Sequence, residues 1–131
     1  MKKEILNPQR LCKPHAIYSH AVKVKAAGHF LFIKGTTARD RDFNLVGKGD
    51  IKAQSRQIFE NMKVILEEAG GTFDNIVKLT TFVRDISKFK ELQEIRAEYF
   101  RRDYPATTMV EVTRLASEDV LIEIEAIAIL D

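Results

Sequence analysis

Glu123, Lys34 and the pair Thr107–Thr108 are the residues whose types and settings suggest chemistry in this chain. Glu123 lies in Leu121–Leu130, a run otherwise dominated by apolar residues. Val120, Ile122, Ile124, Ala126 and Ala128 alternate along one row of that run, and Glu123 and Glu125 fall on the other with Leu121, Ile127 and Ile129. Partial burial makes a carboxylate a better proton acceptor near neutral pH, so Glu123 is the leading general acid–base candidate. The plain alternative, favoured by the pattern alone, is a solvated or ion-paired carboxylate. Glu125 and Glu111 read as structural charges. Lys34 closes the apolar run Phe30–Ile33. An ammonium cannot stay unpaired in a dry core, so it either reaches water or pairs with Glu123 or Glu125. Thr107 and Thr108 stand at a strand mouth, just after Pro105. Strand propensity accounts for them, and their hydroxyls can also donate to a carboxylate or orient water.

Other chemistries find no support. His15, His20 and His29 have no zinc-ligand spacing, and Cys12 is the single cysteine, so neither a metal site nor an internal disulfide is expected. Gly47-Lys48-Gly49 is too short for a phosphate loop, and no Ser/His/Asp arrangement can be argued. No cofactor is implied.

The elements that position these residues follow from periodicity. Lys2–Leu6 and Ser19–Lys25 read as strands, and Phe30–Ile33 as a strand buried on both sides. Residues 36–49 form a polar connection, in which Asn44 and Gly47 suit positive φ. A helix is expected over Ile51–Ala69, capped by Asp50 and ended by Gly70-Gly71, with Ile51, Ser55, Ile58, Met62, Ile65, Leu66 and Ala69 on its buried stripe. Ile76–Val83 is a β-branched and aromatic strand. A second helix over Lys88–Arg101, capped by Asp85 or Ser87, buries Phe89, Leu92, Ile95 and Tyr99. Tyr104–Leu115 reads as a further strand, its mouth set by Pro105. Thr107, Met109, Glu111 and Thr113 point one way along it, and Thr108, Val110 and Val112 the other. After a short break it would pair antiparallel with Leu121–Leu130.

The order indicates an α+β domain spanning residues 1–131, with two helices on one face of a mixed sheet. The other sheet face still carries apolar residues, which predicts an oligomer. A charged fraction of 31% and an apolar fraction of 45% fit a globular protein, and the net charge of +2 gives no argument for nucleic acid. No run is long and apolar enough for a membrane span or signal peptide. The single cysteine fits a reducing cytoplasmic location, which is the one expected.

Several stretches resemble one family. Tyr18-Ser19-His20-Ala21-Val22, Asp50–Gln57, Ile76–Val83, Pro105–Val112 and Ile122–Ala128 are similar, in the same order, to segments of the reactive-intermediate deaminase family RidA/YjgF. Members typically read Pro-Ala-Arg-Ser-x-Val-Glu-Val where this chain has Pro105-Ala106-Thr107-Thr108-Met109-Val110-Glu111-Val112. The resemblance implies a homotrimer of chorismate-mutase-like subunits with clefts between them. It also implies hydrolysis of enamines and imines of small carboxylic acids. It assigns Tyr18 to substrate contact and Glu123 to the water, and it places Thr107 where the family's carboxylate-binding arginine stands. Lys34 replaces the serine common before Gly35 and could supply the missing cation. The Thr-Thr wording is similar to the arginine-less branch that includes 2-aminomuconate deaminases. The alternatives are a non-catalytic trimer that binds a small carboxylate, or the ribonuclease activity attributed to some relatives.

Overall fold

A computed structural model describes residues 1–25 and 28–131. The strands are β1 (Lys3–Leu6), β2 (Ala21–Val24), β3 (His29–Thr36), β4 (Ile76–Val83), β5 (Ala106–Glu111) and β6 (Ile122–Leu130); the helices are α1 (Ile51–Glu68) and α2 (Phe89–Tyr99). β1 and β2 form an antiparallel ribbon, and the other four strands make a mixed sheet in the order β3-β6-β4-β5.

Local chemistry sets the helix ends. Asp50 Oδ1 accepts from the Ala53 amide at 3.0 Å, satisfying one of the orphan donors of α1. Gly70, at φ +79°, takes the left-handed conformation just past the helix. Asp85 instead caps a short 3-10 turn, Ile86–Lys88, that leads into α2. In the polar connection the positive φ falls on Phe43, Gly47 and Gly49 rather than Asn44. Asp40 Oδ1 holds Phe43's neighbourhood by accepting from the amides of Asp42 and Asn44, both at 2.9 Å.

The last two strands do not pair with each other, contrary to the sequence expectation. β5 runs parallel to β4, with Leu79 beside Thr107 and Thr81 beside Met109. The reason is the intervening α2: a helical crossover returns the chain in the same direction, whereas only a tight connection permits a hairpin. β6 lies antiparallel between β3 and β4. Its buried row, Ile122, Ile124, Ala126 and Ala128, is at most 3% exposed and forms the centre of the core with Ile58, Met62 and Leu66 of α1.

The run Phe30–Ile33 is buried on one side only. Ile33 faces the core at 5% exposure, whereas Phe32 is 73% exposed on the sheet face that no helix covers. Two helices cover one face of a sheet, and a run that is apolar on both faces leaves the second uncovered.

Of the expected stripe of α1, Ile51, Ser55, Ile58, Met62 and Leu66 are buried and Ile65 and Ala69 half-buried, with Gln54 and Phe59 joining the buried set. Gln54 is fully satisfied: Nε2 donates to the Gly47 and Asp119 carbonyls, and Oε1 accepts from the Leu121 amide. It therefore ties the start of α1 to the start of β6. On α2, Leu92 and Ile95 are buried as expected, but Phe89 is exposed and Arg96 takes a buried place.

Candidate functional site

The sheet distributes the singled-out residues over two separate regions. The first lies on the open face at the β3–β6 seam. The register of β3 against β6 slips between Ile33 and Thr36, so the chain bulges at Lys34-Gly35. Glu123 folds into the space left there. A Cβ built on residue 35 would lie 2.9 Å from both Cδ and Oε1 of Glu123, so glycine is what allows this close approach. Glu123 is half-buried and Glu125 is exposed. Lys34 is exposed. Its Nζ donates to the Gly35 carbonyl at 3.1 Å, and it pairs with neither Glu123 nor Glu125. It borders a concavity of about 450 Å³ with Phe32, Lys78, Thr80 and Glu125.

The second region lies at the β5 edge, under α2. Thr107 shares the face of its neighbour Leu79, a core residue, and its hydroxyl donates to the Pro105 carbonyl at 3.2 Å. The Tyr18 loop docks beside it: the Ser19 amide donates to the Pro105 carbonyl at 3.2 Å, and Ser19 bridges to Ala106. The Tyr18 hydroxyl lies 3.1 Å from His15 Nδ1. From α2, Gln93 Oε1 accepts from the Ile17 amide at 3.1 Å, while the Nε2 of the same amide is buried without an acceptor. Arg96, one helical turn further, is 4% exposed and donates from Nη2 to Thr81 Oγ1 at 2.6 Å. Burial alone lowers its pKa to about 10.

Thr108 belongs to neither group. It points to the open face, where its Oγ1 accepts from Lys78 Nζ at 2.8 Å. Thr107 and Glu123 are on opposite sheet faces, two strands and three residues apart, so their Cα atoms are on the order of 14 Å from each other. One chain therefore brings Tyr18 towards Thr107, and Lys34-Gly35 to Glu123, but does not unite the two sets. The sequence reading missed Gln93 and Arg96. The signal for Arg96 was present in the helical spacing Leu92, Ile95, Arg96, Tyr99, an inward stripe with an arginine in it, whereas nothing in the pattern marked Gln93.

A further concavity, of about 550 Å³, lies between the starts of α1 and α2 and is lined by Asp50, Arg84, Asp85 and Lys88. It contains none of the residues above. Its lining is largely charged. Among the described residues no cluster of His, Cys, Asp or Glu could hold a metal ion, and no helix is long and apolar enough to cross a membrane.

The fold is an α+β unit, a mixed four-stranded sheet with two helices on one face. The family model described as Endoribonuclease L-PSP matches residues 9–130, and the chain belongs to that family, which is also known as RidA/YjgF. A RutC family protein of Pyrococcus abyssi is 43% identical over 128 residues, covering 98% of each chain. The 3-aminoacrylate deaminase RutC of Acinetobacter baylyi is 34% identical, also over 98% of each chain. A crystal structure of the Rid family protein YyfB from Yersinia pestis, described as of unknown function, superposes with a TM-score of 0.88 at 33% identity, covering 99% of this chain and 100% of that one.

Proposed function

We propose that the protein is a deaminase-type hydrolase of small enamine or imine carboxylates, working at clefts between the subunits of a homotrimer. The observation that carries this reading is the separation of the two regions. The carboxylate with its glycine seat and the hydroxyls at the β5 edge cannot meet within one chain, and a neighbouring subunit can bring them together. The open sheet face supports the same assembly, since Phe30, Phe32 and Val110 are exposed there at 54%, 73% and 39%. The relative named 3-aminoacrylate deaminase acts on an enamine acid by its name, which supports the substrate class.

In this scheme the enamine first tautomerises to the imine. Glu123 takes a proton from water as its oxygen adds to the C=N carbon, giving a carbinolamine. Glu123 returns that proton to nitrogen and then carries the hydroxyl proton to nitrogen as well, so that the C–N bond breaks, ammonia leaves and the carbonyl forms. Tyr18 and Thr107 hold the substrate by neutral hydrogen bonds. Lys34 and Thr108, on the open face, bind the far end of a longer acid such as a dicarboxylate. 2-Aminomuconate is the candidate of that kind. The exposed, free Cys12 fits a reducing cytoplasm.

The test is ammonia release from freshly generated 3-aminoacrylate, 2-aminoacrylate and 2-aminomuconate. Acceleration of at least one above the spontaneous rate is expected. The absence of any acceleration, with RNA cleaved instead, would overturn the reading. A second reading, binding without turnover, is favoured by the threonine at position 107 where relatives use arginine. Saturable carboxylate binding with no ammonia release would support it.

A further inference from the structure

Arg96 is the only buried charged side chain among the described residues. Its surroundings do not explain it as an ion pair. No carboxylate lies within ion-pair distance among the described residues, and no acidic neighbour raises its pKa. At a pKa of about 10 it remains a cation at neutral pH. Its one side-chain partner is the neutral Thr81 hydroxyl, although a guanidinium carries a fork of several donors. A buried charge without a counter-ion destabilises a fold, and Met or Tyr would fill the same space without that penalty.

Gln93 adds a second donor without an acceptor. Its Nε2 is buried and unpaired, three residues before Arg96, so both side chains leave the same face of α2. The strand register places Arg96 close to Thr107 through Thr81, and Gln93 is tied to the Ile17 amide of the loop whose Ser19 docks on Pro105. Thr81, which holds the guanidinium, lies beside Met109, two residues beyond Thr107 on the same face. From Thr81 to Thr107 is therefore roughly 8 Å along the sheet diagonal. A carboxylate accepting from the guanidinium through one oxygen and from the Thr107 hydroxyl through the other, each at about 2.8 Å, spans a distance of that order. The present acceptor of that hydroxyl, the Pro105 carbonyl at 3.2 Å, is long enough to exchange readily.

We propose that Arg96, with Gln93 Nε2 and the Thr107 hydroxyl, forms a binding seat for the carboxylate of a small acid at the β4–β5 edge. The guanidinium that position 107 lacks is thus supplied from α2. The proposal rests on the reading of this edge as a carboxylate-binding cleft, but it does not depend on turnover.

The probes are pyruvate, a stable 2-oxo acid with C=O in place of C=N, and its neutral match pyruvamide. Titration calorimetry is run on the whole protein for wild type, Arg96→Met and Arg96→Lys. Pyruvate should bind wild type, with at least ten-fold weaker binding to Arg96→Met and an intermediate loss in Arg96→Lys, which keeps the charge but not the fork. Pyruvamide binding should be the same in all three. In nitrogen-15 spectra of wild type, the Arg96 side-chain signal, assigned by its absence in Arg96→Lys, should move with pyruvate and not with pyruvamide. That measurement decides the matter if Arg96→Met does not fold. Equal pyruvate affinity in folded Arg96→Met, or an unmoved Arg96 signal at saturation, overturns the seat and leaves the proposed hydrolysis standing. Tight pyruvate binding that needs Arg96, without ammonia release from any enamine acid, supports the seat and removes only the hydrolase reading. No pyruvate binding by wild type overturns the seat, and ammonia release alone then decides the hydrolase reading.

Discussion

The carboxylate of Glu123 lies against the bare backbone of Gly35, with no room between them for a methyl group. The contact links the bulge in β3 to the acid on β6, and it aims one particular carboxylate of the Glu123/Glu125 pair. Gly35→Ala should therefore turn the Glu123 side chain away while leaving the fold intact, because the far end of Glu123 is free to move. We expect turnover to fall by about ten-fold or more if general acid–base catalysis by Glu123 operates. The circular dichroism spectrum should be unchanged. Full activity in Gly35→Ala would mean that the contact does not orient the acid.

Glu123→Gln keeps the size and part of the hydrogen bonding but cannot accept a proton. Ammonia release should drop by about 10²–10⁴-fold. The sedimentation behaviour should match wild type. An unchanged rate would assign Glu123 to structure.

Thr107→Arg introduces the arginine typical of the family at this position. Hydrolysis of a compact imino acid such as 2-iminopropionate should rise roughly ten- to hundred-fold in the variant if Arg96 does not hold the carboxylate, given a charge-assisted bond of about 1.5–3 kcal/mol felt in the transition state, and should change little if it does. A large gain therefore counts against the Arg96 seat, and a fast wild type with no gain supports it.

Phe32 is the most exposed residue of the open sheet face among its large apolar side chains, at 73%. Phe32→Asp should convert the proposed trimer to monomer in sedimentation equilibrium, since it places a charge at a surface that the assembly would desolvate. A wild-type monomer at micromolar concentration would remove the shared cleft altogether.

Two ion pairs join the helices in matching steps. Lys52 meets Glu94 at 2.5 Å, and Arg56 meets Glu98 at 2.8 Å. Each partner holds its glutamate below the usual carboxylate range, by hydrogen bonding first and by charge second for Glu94, and by hydrogen bonding first for Glu98. A lowered folded pKa means that the unfolded chain binds protons first. The stabilisation is thus present above the ordinary glutamate pKa and is lost as the pH falls through the folded value. The midpoint of thermal unfolding should fall more steeply with acidification in wild type than in a Glu94→Gln/Glu98→Gln double variant. The effect should shrink in high salt, because the pairs are exposed. Parallel curves would show that the pairs do not contribute.

Much of this protein is written locally. Asp50 and Gly70 mark the ends of α1, the stripe from Ile51 to Leu66 selects its buried face, and the alternation of Thr107 and Thr108 puts their side chains on opposite sides of β5. Each of these depends on neighbours within a turn or two of chain, and periodicity reports them directly. Family membership was equally legible, in the motifs from Tyr18 to Ala128. The long-range pairing was not. Periodicity says which way a strand's side chains point but not which strand lies beside it, so β6 between β3 and β4, and β5 beside β4, emerged only from the packed sheet. That arrangement is what separates Thr107 from Glu123. Nor does composition reveal which charge is buried. Arg96 occupies a core position because α2 lies directly over Thr81, and its burial depends on what packs above it rather than on its own identity.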